Sequence, residues 1–146
     1  MRLEQTSSGT EFQVPTASVK ILIIEDEPAI RQTLQDLLEI HGHTVLAAAD
    51  GIEGVKRAGE RPDIIFCDML MPGMDGDEVL AAVRQLPQCA AIPFLFLTAL
   101  AARADQRLGM SLGADDYITK PFTERDIIDA IAGCARRARA TGGEKK

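Results

Sequence analysis

Short, continuously apolar runs alternate with helix-periodic stretches five times along this chain. The runs are Lys20–Ile24, His43–Ala49, Ile64–Cys67, Ile92–Leu97 and Asp115–Ile118. Most of them show no polar alternation, so both faces of each strand must be covered by protein. The stretches between them carry apolar residues at helical spacing. Ile30, Leu34, Leu37 and Leu38 form the first stripe, which stops near Gly42; Ile52 and Val55 begin the second. Val79, Leu80 and Val83 make the third, and Leu100, Ala104 and Leu108 the fourth, which ends around 109–113. Ile127, Ile128, Ile131 and Ala135 make the last. Strand–helix alternation with connections this short implies a parallel sheet with right-handed crossovers. The expected fold is α/β, a flavodoxin-like doubly wound five-stranded parallel sheet in the order 2-1-3-4-5 with helices on both faces.

A chain of 146 residues is read as one domain with a sizeable core. Residues 1–18 are polar and without periodicity and read as a disordered tail; 139–146 read as a frayed end. The net charge of −6 argues against a nucleic-acid-binding module. Cys67, Cys89 and Cys134 have no C-x-x-C spacing and read as buried reduced thiols. No apolar run approaches membrane-spanning length, and the first residues lack a signal peptide's apolar segment, so a cytoplasmic location is expected.

Open α/β sheets place ligands at the carboxyl ends of their strands. Strand 1 ends in Glu25 and Asp26, strand 3 in Asp68, strand 4 in Thr98, and Lys120 follows strand 5. In the expected order strands 1 and 3 are neighbours, so three carboxylates converge. Two like charges about 4 Å apart repel by ~4 kcal/mol at an effective dielectric near 20. One lysine cannot offset three acids, but a hard divalent cation, Mg²⁺ or Mn²⁺, can. Such a site suits a phosphoryl group, neutralised by metal and Lys120 and hydrogen-bonded by Thr98, with Asp68 as nucleophile. Blander readings exist for each residue. Glu25 and Asp26 could cap the helix that Pro28 opens, Thr98 could be an ordinary satisfied hydroxyl, and Lys120 a solvated surface lysine. Asp50 reads as a turn or N-cap residue, and Asp75 as the cap of the third helix. His41 and His43 receive no metal or catalytic role, and Arg136, Arg137 and Arg139 read as a solvated helix end.

Four motifs in unbroken order carry a resemblance. They are Ile23-Ile24-Glu25-Asp26-Glu27-Pro28, Asp68-Met69-Leu70-Met71-Pro72-Gly73-Met74-Asp75-Gly76, Leu97-Thr98-Ala99, and the run from Gly113 to Phe122 that contains Tyr117 and Lys120-Pro121. Over residues 19–138 the chain resembles the response-regulator receiver domains of two-component signalling. The resemblance implies that Asp68 is the phosphoacceptor, Asp26 a direct metal ligand, Glu25 its neighbour acting through water, and the Leu70 carbonyl the backbone metal ligand. It implies that Thr98 and Lys120 bind the phosphoryl group, that Tyr117 is the aromatic switch, and that the Lys120–Pro121 peptide is cis. A sensor histidine kinase or histidine phosphotransfer protein is the implied donor. The implied output surface is the fourth helix, fifth strand and last helix, read by a downstream protein target, with a homodimer possible and no direct nucleic-acid or membrane contact. Glu25 stands where many relatives have Asp. Leu70 and Leu100 are both apolar and are expected to flank the path to the phosphoryl group and slow its hydrolysis. Three alternatives stay open: a metal-dependent phosphohydrolase with an aspartyl nucleophile, a flavodoxin-like cofactor carrier, and a receiver used only for dimerisation.

Overall fold

A computed structural model describes residues 18–99 and 113–145. Five parallel strands form one sheet: β1 (Lys20–Ile24), β2 (Thr44–Ala48), β3 (Ile64–Asp68), β4 (Phe94–Ala99) and β5 (Asp116–Lys120). Their spatial order is β2-β1-β3-β4-β5, as expected from the sequence. The helices are α1 (Pro28–Ile40), α2 (Gly51–Ala58), α3 (Gly76–Gln85) and α4 (Glu124–Lys145), with a 3₁₀ turn at Pro87–Cys89. The helix expected over Leu100–Leu108 and the tail over 1–17 lie outside the described residues.

The central strands β1, β3 and β4 are largely apolar because each feeds two cores, whereas the edge strand β5 buries only Ile118. Leu22, Ile24, Ile65, Cys67, Phe94 and Phe96 point to one face. Ile21, Ile23, Ile64, Phe66, Leu95 and Leu97 point to the other. The alternation of side chains along a strand thus divides one apolar run between two layers. Each fully buried aliphatic contributes about 1.5–3 kcal/mol, so the sheet is the rigid part of the molecule.

Several local details depart from the sequence reading. In the sequence, Ile52 and Val55 are the apolar residues that begin the second helix. Its buried face is Gly51, Gly54 and Ala58, while Ile52 is 64% exposed and Val55 only partly buried. Helix α2 lies so close to β1 that a Cβ on Gly54 would sit 2.5 Å from Ile24 Cδ1. Only small residues fit that contact, so the larger ones turn outward. Ile128, assigned to the inner stripe of the last helix, is 36% exposed beside fully buried Ile127. Strand β4 starts after Pro93 and continues through Thr98 to Ala99, and β5 runs on to Lys120. The last helix runs from Glu124 to Lys145.

Helix starts follow local chemistry. Pro28 opens α1 at its first turn. Asp50 caps α2 by accepting from Glu53 N at 2.8 Å, and Asp75 with Glu78 forms a capping box on α3. Gly42 ends the α1 turn with φ +90°, a conformation that favours glycine. His43, free of any catalytic assignment, accepts from Val19 N through Nδ1 at 3.2 Å. Burial, and then the neighbouring His41, lower its pKa.

Candidate phosphoryl and metal site

The carboxyl ends of β1, β3, β4 and β5 meet at one rim of the sheet. The pairing Ile24–Cys67 brings Glu25 and Asp26 beside Asp68. One carboxylate oxygen from each of Glu25, Asp26 and Asp68 lies within 4.8 Å of the others. Glu25 is fully buried, Asp68 is 7% exposed, and Asp26 is half-buried. Lys120, from the end of β5, reaches between them: Nζ lies 3.0 Å from Glu25 Oε1 and 3.4 Å from Asp68 Oδ2. The structure thus brings together Glu25, Asp26, Asp68, Thr98 and Lys120 around a cavity of about 370 Å³, with Leu70 at its edge.

Backbone contacts hold the acids in place. Glu25 N donates to Ala48 O at 3.1 Å, extending the ladder by one residue. Glu25 Oε2 accepts from Glu27 N at 3.2 Å, and Arg31 Nη1 donates to Glu25 O at 2.8 Å. Past Asp68 the chain turns sharply. Leu70 N donates to Asp68 Oδ1 at 3.3 Å, and Gly76 N to Met69 O at 2.8 Å. Gly73 takes φ +81° in that turn. Gly76 packs so tightly that a Cβ there would sit 2.6 Å from Asp68 O and 2.8 Å from Met69 Cα. The Pro- and Gly-rich composition of this loop is therefore a requirement for bringing α3 up beneath the acidic rim.

The electrostatics are unbalanced. Burial first, then the Glu25 carboxylate, push the Asp68 pKa up to about 7, against the pull of Lys120. Burial alone would lower the Lys120 pKa, but Glu25 and Asp68 outweigh it and hold the ammonium above the usual lysine range. Three carboxylates facing one ammonium leave two negative charges uncompensated when all are ionised. Glu25 Oε1 is buried, and Lys120 Nζ faces it at 3.0 Å. All-oxygen donors within 4.8 Å of one another and excess negative charge fit a hard divalent cation.

The remaining residues are placed as follows. Thr98 is buried, 1% exposed, and its hydroxyl lies 3.8 Å from Met69 Sδ and 3.3 Å from Ala99 O. Leu70 is 58% exposed at the cavity edge. Tyr117 pairs with Phe96 in the sheet but is 40% exposed and lines a separate groove with Asp116, Asp126 and Asp129. The structure does not bring it into the acidic site. The Lys120–Pro121 peptide is cis. Three residues that sequence reasoning gave no role also line the cavity, Glu27, Met69 and Ala99. Each directly follows a residue that was singled out, and adjacency to Asp26, Asp68 and Thr98 was the available signal.

Cys67, Cys89 and Cys134 are buried and form no disulfide with one another, and no described helix is long and apolar enough to cross a membrane.

Comparison with known proteins agrees with this geometry. The family model of the response regulator receiver domain matches residues 21–132. The chain is 43% identical over 120 residues to the alkaline phosphatase synthesis transcriptional regulatory protein PhoP of Bacillus subtilis, covering 82% of this chain and 49% of that one. It is 36% identical over 119 residues to the transcriptional regulatory protein CpxR of Escherichia coli, covering 82% of this chain and 50% of that one. The chain thus spans about half the length of the curated relatives it matches. Among solved structures, Vibrio cholerae chemotaxis protein CheY4 superposes with a TM-score of 0.77 at 33% identity, over 81% of this chain and 99% of that one. The receiver domain of sensor histidine kinase PA1611 from Pseudomonas aeruginosa, which carries a magnesium ion coordinated in its active-site cleft, gives 0.72 at 30% identity, over 78% of this chain and 94% of that one. With this family match, the shared parallel-sheet order and the convergence of acids at one rim, the chain belongs to the response regulator receiver domain family of two-component signalling.

Proposed function

We propose that this receiver is switched by phosphorylation of Asp68, with a histidine kinase or histidine phosphotransfer protein as donor and Mg²⁺ as cofactor. The observation that carries the reading is the placement of Lys120 Nζ between Glu25 and Asp68 at a rim where three carboxylates converge. A carboxylate oxygen of Asp68 attacks phosphorus, and the phosphorus–nitrogen bond of the donor imidazole breaks. The electron pair stays with the ring nitrogen, which takes a proton from solvent, and Asp68 carries an acyl phosphate. Lys120, already facing Asp68 Oδ2, meets the new charge, and the Thr98 hydroxyl offers a hydrogen bond to one phosphoryl oxygen. A divalent ion held by Glu25, Asp26, Asp68 and the Leu70 carbonyl would supply the positive charge that lets an anionic donor approach three acids. Mn²⁺ is expected to substitute.

The phosphorylated form acts through a protein-facing surface built from β5, α4 and the helix expected over Leu100–Leu108, with Thr98 and Tyr117 reporting the change. A homodimer through that surface is one form of such output. The receiver spans 19–138, works in the cytoplasm, and touches neither membrane nor nucleic acid itself. The matched relatives PhoP and CpxR are transcriptional regulators in which a receiver-length match covers about half the protein, so this statement concerns the receiver alone.

The test is intact mass after acetyl phosphate and Mg²⁺. The chain should retain about one phosphoryl group for a measurable time, and Asp68→Asn should retain none. Many turnovers of acetyl phosphate with no retained adduct would instead make the protein a phosphohydrolase. That alternative requires a general acid, and the second position after Asp68 is the apolar Leu70.

A further inference from the structure

We propose that Met69 is a positioning residue for this site: its thioether holds the Thr98 hydroxyl in the unmodified protein and sets how readily that hydroxyl turns to a phosphoryl group. The inference rests on the reading of Asp68 as phosphoacceptor and deepens it by one residue. Thr98 has one hydroxyl proton and is 1% exposed, so it needs an acceptor within the protein. Among the described residues two are in reach, Met69 Sδ at 3.8 Å and Ala99 O at 3.3 Å, and no hydrogen bond joins Thr98 to Asp68.

Both acceptors are weak. A thioether is a soft acceptor, and 3.3 Å exceeds the usual O–H···O range. A charged phosphoryl oxygen forms shorter and roughly twice as strong hydrogen bonds. The resting bond is therefore strong enough to satisfy a buried proton and weak enough to be exchanged. Met69 is suited to hold a fixed acceptor. Its N–H donates to Leu97 O at 3.0 Å, its carbonyl accepts from Gly76 N at 2.8 Å, and it is 1% exposed in the core that contains Phe96. With the backbone pinned on both sides, the sulfur stays beside Thr98 while the cavity in front of both remains open.

The test compares wild type, Met69→Leu, Thr98→Val and the double variant. Affinity for beryllium trifluoride, a phosphoryl mimic, is measured by titration calorimetry in excess Mg²⁺. Met69→Leu removes one of the two competing acceptors, leaving only the long bond to Ala99 O, and keeps the volume, so it should tighten the mimic about two- to five-fold. The Mg²⁺ affinity should be unchanged, and the gain should vanish in the Thr98→Val background. A separate readout needs no mimic. Three-bond couplings should show one dominant Thr98 χ1 rotamer in the free wild type and averaging in Met69→Leu, with norleucine at 69 as the variant if Leu disturbs the core. An unchanged rotamer distribution, or an affinity gain that persists without the threonine hydroxyl, overturns the role of Met69. Failure of the wild type to bind the mimic at all would count against the phosphoacceptor reading, while the rotamer measurement would still judge Met69.

Discussion

Asp68 and Lys120 sit in one cluster with opposite consequences for stability. The Asp68 pKa is raised from 3.8 to about 7, so the folded protein binds more protons than the unfolded chain between those values. Stability therefore falls as pH rises through that window, the reverse of a salt-bridged carboxylate with a depressed pKa. In chelator-treated protein, Asp68→Asn should stabilise by about 1–2 kcal/mol above pH 7, allowing for solvent screening at the open rim. The gain should shrink to nothing near pH 4, as read from thermal melts across pH. For Lys120 the pKa is raised, so its contribution is full at neutral pH and is lost only as pH climbs past the usual lysine range. Lys120→Met leaves the fully buried Glu25 without its counter-charge. It should cost about 3 kcal/mol without metal, and Mg²⁺ should restore part of that, as urea titrations with and without Mg²⁺ would show. At the cavity edge, Leu70→Asn should shorten the lifetime of the phosphorylated form several-fold, by admitting water where a 58% exposed leucine now stands. A decay followed by intact mass would measure it. Leu100, its expected counterpart, lies outside the described residues.

At the scale of elements, two glycines set how closely helices approach the sheet, and they differ in what surrounds them. At Gly54 an added Cβ meets Ile24 Cδ1 at 2.5 Å, Cγ1 at 2.8 Å and Cγ2 at 3.0 Å, side-chain atoms of a fully buried β-branched residue. At Gly76 it meets the Asp68 carbonyl oxygen at 2.6 Å and the Met69 Cα, which cannot move without shifting β3 and its turn. Gly76→Ala should therefore destabilise by about 2–3 kcal/mol and weaken Mg²⁺ binding. Gly54→Ala overpacks the buried Ile24 and should cost about 1–2 kcal/mol after the better helix propensity of alanine is counted, with Mg²⁺ binding unchanged. Urea midpoints and Mg²⁺ titrations separate the two. The elements themselves were largely legible, because runs such as Lys20–Ile24 have no polar residue at the alternate positions and so must be covered on both sides. What was not legible was which side of a short helix faces in. Ile52 is the most apolar residue of α2 in sequence and points to solvent, because the gap against Ile24 admits no side chain of its size. The partner of His41 was likewise invisible: its Nε2 lies 2.7 Å from Glu124, a residue brought near only by folding.

For the molecule as a whole, the sheet divides its core into two layers, and Cys67, Cys89 and Cys134 are all buried in them. Burial raises the thiol pKa of Cys67 far up, with the Asp68 and Glu25 charges adding to it, and burial raises that of Cys89 as well. All three thiols should resist a disulfide reagent in the native protein and react together on unfolding, which a colorimetric thiol count with and without denaturant would check. Sequence alone determined the alternation of strand and helix, the spatial order of the strands, and the set of polar residues delivered to one rim, because hydrophobic period and connection length leave few other ways to bury these runs. Only the tertiary structure decided that Glu25 is fully buried while Asp26 is not, that Lys120 lies nearer Glu25 than Asp68, that Thr98 rests on Met69, and that Tyr117 faces a different groove. Those outcomes depend on distances between segments remote in sequence, and a difference of an ångström there changes the partner, the burial and the charge balance without altering any local pattern.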